Sequence, residues 1–423
     1  MTAIAQRPSV RAPVAGTASY VIGEARLLAG VQSYGRLDAG AHLAVHGALP
    51  VLDREHLQRW CADVRLLGRG GAAFPVSRKL ESLPRGGAVA VVVNGSESEP
   101  ASAKDRVLMQ RAPHLVLDGA RLVARALGAR EIVVSVHDGA AADSMRRALA
   151  ERSDLPGAQV VRSTAGFVGG EARAVVAGLD GKRPVPPGRR TLATVRGLGG
   201  AATFLSNVET FAQLAVLART GPAAFARTGA SAEPGTRLFT VGGAVRQPGV
   251  VEAPAGCSLD ILLSHAGAAP PAGVLLGGYH GTWTSGHGIA LDAPSAAAAG
   301  ASLGAGVVLV LDDSTCPLGE VARVARWLAS ESAGQCGPCF FGLPALAADI
   351  EAILRGDAGA RASADRHLGL LPGRGACAHP DGAARFVRSA LDRFRADLAM
   401  HLDGPGCGRP VLGVLPLPAD VRS

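Results

Sequence analysis

Residues 88–100 read AVAVVVNGSESEP: six apolar residues in a row, then an asparagine, a glycine, and two glutamates two positions apart. A run so short and so apolar reads as a strand buried within a parallel sheet. The segments on either side agree. Upstream, a helix-like stretch from Asp53 to Leu66 feeds the loop Gly68-Arg69-Gly70-Gly71. Downstream come a helical pattern over Pro113 to Leu127, an apolar run from Glu131 to Val136, a helix near Ala140 to Arg152, and a third run from Gln159 to Arg162. Strands alternating with helices predict an α/β, Rossmann-like layer, with any ligand at the carboxyl ends of the strands.

From Gly235 the period changes. Arg237 to Val245 and Val250 to Ala253 read as paired strands around Gln247-Pro248-Gly249, followed by a short helix over Leu259 to Ala266 and strands at Gly273 to Leu276 and Val307 to Leu311. From Leu318 onward the pattern is helical, at Val321 to Glu331, Pro344 to Arg355 and Gly382 to His401, and predicts a bundle.

Composition narrows the class. The 423 residues hold 56 Gly, 27 Pro and only 4% aromatics, so small aliphatic side chains must fill the interior of two or three domains. The formal charge of +8 comes from arginines scattered along the chain, not gathered into the stripe that nucleic acid requires. No apolar run reaches the roughly 18 residues of a membrane span. Arg7, Arg11 and Pro13 interrupt the Pro- and Ala-rich leader where a signal peptide would be apolar. Seven cysteines, five of them from Cys316 onward, suit metal ligation in a reducing compartment better than a disulfide framework. The expectation is a cytoplasmic protein with no nucleic-acid partner and no transmembrane segment.

Rare residues point to a site. Asn94 and Asn207 are the only asparagines, and Lys79, Lys104 and Lys182 the only lysines. A carboxamide or a compact ammonium is kept where the planar fork of arginine cannot replace it. The loop Gly68 to Lys79 offers clustered backbone N–H groups to an anion, with Arg69 and Lys79 adding charge. Asn94 can both donate and accept at a heterocycle edge, while Glu97 and Glu99 can take ribose hydroxyls or an amide. Gly166 to Glu171 and Leu205 to Thr210 are nondescript taken singly. Cys336 and Cys339 in a Cys-x-x-Cys, with Cys377 about forty residues later, fit an iron–sulfur or a zinc site; a dithiol redox pair fits less well, because no thioredoxin-like strand precedes it.

In this order, over roughly Cys61 to Leu398, these segments resemble the NADH-oxidising flavoprotein subunit of respiratory complex I and its relatives in hydrogenases and formate dehydrogenases. The resemblance implies an N-terminal extension (1–57), a Rossmann-like FMN and nucleotide domain (58–232), a β-grasp insertion of the soluble-ligand-binding type (233–312), and a helical domain carrying a [4Fe–4S] cluster (313–423). By the same resemblance Gly68, Arg69, Gly70, Lys79, Asn94 and Asn207 contact FMN, while Phe74, Glu97, Glu99 and Glu171 lie near NAD(H). Cys336, Cys339 and Cys377 match three cluster ligands. Hydride would pass from NAD(P)H to flavin and single electrons through the cluster to a partner protein, a [2Fe–2S] subunit or ferredoxin-like, at the periphery of a membrane complex. No side chain is expected to act as a chemical catalyst, since the transfer occurs at the flavin.

The departures from the family pattern are specific. Ala333 stands where the first cysteine of Cys-x-x-Cys-x-x-Cys belongs, which leaves Cys407, then Cys316, as candidate fourth ligands, or else a three-iron or absent cluster. Ser96 replaces an aspartate, Leu80 an aromatic, and Gly170-Glu171-Ala172 a Gly-Glu-Glu. A missing carboxylate near the adenosine ribose weakens discrimination against a 2′-phosphate. Two other functions stay open on sequence: a ferredoxin-linked electron carrier with no nucleotide site, and a non-redox binding or assembly module of the same architecture.

Overall fold

A computed structural model describes residues 17–163, 166–188 and 191–418. The leader with Arg7, Arg11 and Pro13 lies outside the described residues. The described chain opens with β1 (Ser19–Val21), α1 (Val31–Tyr34), α2 (Ala39–His46), α3 (Arg54–Asp63) and α4 (Val76–Glu81). It then enters the layer that the opening stretch predicts: β2 (Val89–Gly95), α5 (Lys104–Arg111), α6 (Pro113–Leu127), β3 (Glu131–Val136), α7 (Gly139–Ala150), β4 (Ala158–Arg162), α8 (Ala172–Leu179), β5 (Ala202–Asn207) and α9 (Val208–Phe225).

The four strands are parallel in the order β4-β3-β2-β5. Alternation sends Val91 and Val93 to the main core and Ala90 and Val92 to a smaller core under α8, so β2 is apolar on both faces. α6 starts on Pro113 and stops at Gly128 in the left-handed conformation. Its Gly119 lies so close to the α9 backbone that a Cβ there would sit 1.9 Å from the Phe211 carbonyl oxygen, which fixes how the two helices cross.

After the two-residue strands β6 (Gly229–Ala230) and β7 (Glu233–Pro234) comes a mixed sheet: β8 (Thr236–Gly243), β9 (Gly249–Pro254), α10 (Leu259–His265), β10 (Gly273–Leu276), β11 (Thr282–Thr284), α11 (Ala293–Ala298) and β12 (Val307–Leu311). Its order is β1-β9-β8-β12-β10-β11, so the N-terminal segment supplies an edge strand, parallel to β9. Buried Glu252 on β9 secures that segment by accepting the backbone N–H groups of Leu27 and Leu28, both at 2.9 Å.

The bundle comprises α12 (Pro317–Ser330), α13 (Leu343–Leu354), α14 (Ala360–Leu370), α15 (His379–Arg393) and α16 (Arg395–Asp403). The single helix expected over Gly382 to His401 is two. Phe394 leaves helical geometry (φ −107°, ψ 42°) and packs its ring edge-on against Trp283, with centroids 5.1 Å apart. The bundle and one face of the mixed sheet share a core through Leu275, Leu309 and Leu311. No helix of the described residues is long and apolar enough to cross a membrane.

Candidate functional site: a cleft and a thiol cluster

The two asparagines are cross-strand partners: Asn94, next to last in β2, is level with Asn207 at the end of β5. The chain leaves β2 toward β3 on one side and returns as β5 on the other, so the pair stands at the point where strand order reverses and side chains diverge to leave a crevice. A cleft of about 440 Å³ opens there, lined among others by Arg69, Gly70, Asn94, Glu99, Lys104 and Asn207. Bare backbone forms part of its wall. A Cβ on Gly70 would meet the Asn207 Cβ at 3.2 Å, and one on Gly170 would meet the Ser98 Oγ at 2.3 Å.

The floor is a buried charged network. The Lys104 ammonium donates to Asp105 at 2.8 Å and to the Asn207 Oδ1 at 3.1 Å, and pairs with Glu209 at 3.0 Å. Burial opposes its charge, but the two carboxylates outweigh that and hold its pKa above the ordinary lysine value. Asn207 also donates to Asp105 at 2.6 Å and caps α9 by accepting the Glu209 N–H at 3.0 Å. Arg69 reaches the cleft from the glycine loop, yet its guanidinium pairs with Glu233 on β7, which also takes Arg237 at 2.7 Å. The Arg69 Nη2 has no hydrogen-bond partner among the described residues.

The acidic loop divides its work. Glu97, at φ 37°, turns its carboxylate onto the start of α5 and accepts the N–H groups of Asp105 and Arg106 at 2.8 and 2.9 Å. Glu99 is buried with no cation paired to it among the described residues and accepts the Tyr279 N–H from the mixed sheet at 2.8 Å; burial pushes its carboxyl up to about 7. Asn94 donates to the Gly170 carbonyl at 2.9 Å and so ties the acidic loop to the segment beginning at Gly166.

Four of the expected residues do not line this cleft. Gly68 closes its own loop onto the Phe74 carbonyl at 2.9 Å, and the Phe74 ring is exposed. Lys79 passes under β5 to donate to the Leu205 carbonyl at 2.8 Å, where burial lowers its pKa to about 8. Glu171 caps α8 through the N–H groups of Arg173 and Ala174 and pairs with the Arg173 side chain. Conversely, sequence reading gave no role to Glu209, Glu233 or Arg237. Glu233 lies 164 residues from Arg69, and no local pattern announces the pair.

Cys336, Cys339 and Cys377 interact with one another at the carboxyl end of α12; burial and the neighbouring Cys336 thiol push the Cys339 pKa up to about 12. A wide, π-helical turn over Pro338–Gly342 carries Cys339, which is buried, and the Ala333 N–H donates to its sulfur. Cys377 precedes α15, whose His379 bonds the Leu328 carbonyl at 2.8 Å. Cys407, expected as fourth ligand, is not with these thiols: it stands beside Cys316 and His401 at the other end of α12. The donor set thus fits three corners of a four-iron centre, and the Ala333 methyl offers nothing at the fourth. The segment Phe167–Gly170 links cleft and thiols. Gly170 receives Asn94, the Phe167 N–H donates to Glu331 at 2.7 Å, and its ring meets Trp327 edge-on at 5.1 Å.

Comparisons with known proteins agree with this layout. Residues 61–216 match the Nuo51 FMN-binding domain, and residues 319–401 match the NADH-ubiquinone oxidoreductase-F iron-sulfur binding region. The chain is 32% identical to one of the NADH-quinone oxidoreductase F subunits of Rhizobium meliloti, over 87% of this chain and 94% of the relative. It is 33% identical to the NADH-quinone oxidoreductase F subunit of Mycobacterium tuberculosis, over 82% and 84%. Among solved structures, it superposes on a chain of the NAD+-reducing [NiFe]-hydrogenase in the air-oxidized state, with a TM-score of 0.80 and 27% identity, covering 91% of this chain and 68% of that one.

Proposed function

The chain belongs to the family of NADH-quinone oxidoreductase F subunits, and from that premise we propose that the cleft at Asn94 and Asn207 is where NADH meets FMN. The reaction is NADH oxidation with onward electron transfer to an iron–sulfur centre. FMN, when bound, takes a hydride and releases electrons singly. The residues present suit it: backbone at Gly70 and Gly170, the carboxamides of Asn94 and Asn207, and the Lys104 ammonium, all positioned by packing before any ligand arrives. Cys336, Cys339 and Cys377 hold the cluster. Phe167, packed between cleft and thiols, keeps water out of the path between them.

The observation that carries this reading is the register match of Asn94 with Asn207 at the strand-order reversal. Bleaching of the flavin absorbance by NADH in protein purified without oxygen tests it. A flavin that NADH leaves oxidised supports the ferredoxin-linked alternative, and a protein without flavin supports the non-redox one.

Partners are other members of a multi-subunit complex. We place a [2Fe–2S] or ferredoxin-like protein next to the thiol end of α12, and the whole at the periphery of a membrane complex on its cytoplasmic side, where seven unpaired thiols persist. For nucleotide choice, Ala172 at the first position of α8 leaves Glu171 as the lone carboxylate of that motif, and we propose a reduced preference for NADH over NADPH. The ratio of kcat/KM for the two nucleotides, compared between wild type and Ala172→Glu, checks this: the variant raises the ratio, and an unchanged ratio removes Ala172 from the explanation.

A further inference from the structure

Cys316 caps the start of α12 and its sulfur accepts the Gly319 N–H at 3.3 Å. The His401 Nε2, projecting from α16, lies 3.4 Å from the same sulfur. Cys407 follows the turn Gly404-Pro405-Gly406 and brings a second thiol, so that the three ligand atoms all lie within 4.8 Å of one another. Cys316 and His401 are buried, at 2% and 9% exposure. The backbone holds the three together independently of any ion: the Cys316 N–H donates to the Pro410 carbonyl at 2.8 Å, and the Gly406 N–H to the Met400 carbonyl at 3.0 Å. The Arg409 guanidinium, two residues after Cys407, is engaged with Asp397, which offsets its charge.

This group is remote from the cluster thiols. α12 runs from Pro317 to Ser330, and at about 1.5 Å per residue its two ends stand roughly 20 Å apart, with Cys316 at one and Cys336 beyond the other. We propose that Cys316, His401 and Cys407 form a second metal site, which binds a divalent ion of the zinc class with a water in the fourth position. Two thiols and an imidazole are the donors such an ion selects over hard oxygen-seeking cations. Tetrahedral bonds of about 2.3 Å to sulfur and 2.0 Å to nitrogen set those atoms roughly 3.5 Å apart, close to the spacing found. Binding releases the two thiol protons to solvent and leaves a neutral centre of one dication and two thiolates. The ion's role is structural: it staples the segment after α16 to the head of α12.

The test uses full-length protein purified without oxygen and with zinc in the medium. Metal analysis after gel filtration in a mild chelator gives one zinc per chain in addition to iron; Cys407→Ser and His401→Gln each retain about tenfold less zinc, with iron and FMN unchanged. Wild type with only trace zinc, or variants with wild-type zinc, overturns the site. A Cys316–Cys407 disulfide found in unreduced peptides overturns it as well. Wild type alone gives a second reading that does not depend on how the variants fold. Iodoacetamide labels Cys407 about tenfold faster after a strong chelator has removed the zinc, and equal rates before and after refute the proposal.

Discussion

The Glu99 carboxylate, on the acidic loop of the flavin domain, accepts the backbone N–H of Tyr279 from the mixed sheet at 2.8 Å. The Tyr279 hydroxyl in turn donates to the Pro416 carbonyl at 2.5 Å. One tyrosine therefore connects the cleft to the segment that follows α16.

Glu99 makes stability depend on pH. Its carboxyl is raised from 4.5 to about 7 by burial, so between those values the folded protein holds a proton that the unfolded chain has released. The contribution is complete below about pH 4.5, falls as pH rises through 7, and amounts to about 3 kcal/mol. Glu99→Gln keeps an oxygen for Tyr279 and carries no charge. Its melting temperature exceeds that of wild type at pH 8 and converges on it at pH 5; parallel curves across this range would falsify the assignment.

Lys104, itself buried, pairs with both Asp105 and Glu209. Lys104→Met takes the ammonium from two buried carboxylates, Asp105 and Glu209, and costs about 3–5 kcal/mol in urea unfolding. A loss below 1 kcal/mol shows that the network does not depend on the ammonium.

Asn94→Ala removes the tie to Gly170 and leaves that half-buried carbonyl without its donor at the cleft wall. A cost of about 1–3 kcal/mol corresponds to roughly 5- to 150-fold weaker FMN retention. Fluorimetric titration of flavin-stripped protein measures it, and wild-type affinity in the variant removes Asn94 from the site.

Ala333→Cys supplies the absent fourth thiolate beside Cys339. In wild type the iron without a protein thiolate is the one lost to air, so brief oxidation yields the electron paramagnetic resonance signal of a three-iron centre. The variant withstands the same exposure. Equal conversion in both proteins means that another group already holds that iron.

Where pattern and burial coincide, the sequence is legible to the residue. β3, β10, β12 and α6 fall where periodicity puts them, because each buries a continuous apolar face. β5 escapes notice because ATFLSN is short, half polar, preceded by glycines and run straight into α9; its neighbour β2, not its own sequence, makes it a strand. The same limit governs the site. Asn94 and Asn207 are visible through their rarity, whereas the Arg69 and Glu233 pair needs the fold to span 164 residues. Cys407 is the instructive case. Distance along the chain makes it the nearest spare thiol to Cys377, but the break at Phe394 and the course of α16 carry it to Cys316 instead.

Glu320 on α12 is fully buried, and it accepts the backbone N–H groups of Gly413 at 2.6 Å and Leu415 at 3.2 Å. Those donors are made 95 residues after it, which at ribosomal speed is a delay of roughly 5–20 s. For that interval the buried acid has only its local partners, Arg323 at 2.7 Å and the Thr315 hydroxyl at 3.2 Å, at the place where the bundle core must close. Completion of the bundle therefore waits on its tail: the flavin layer, complete by Phe225, can form while translation continues, but the bundle is finished only once Gly413 and Leu415 are free to fold back onto Glu320. Ribosome-attached chains halted before Gly413 should remain open to protease between α12 and α16, and those extended past Leu415 should resist it.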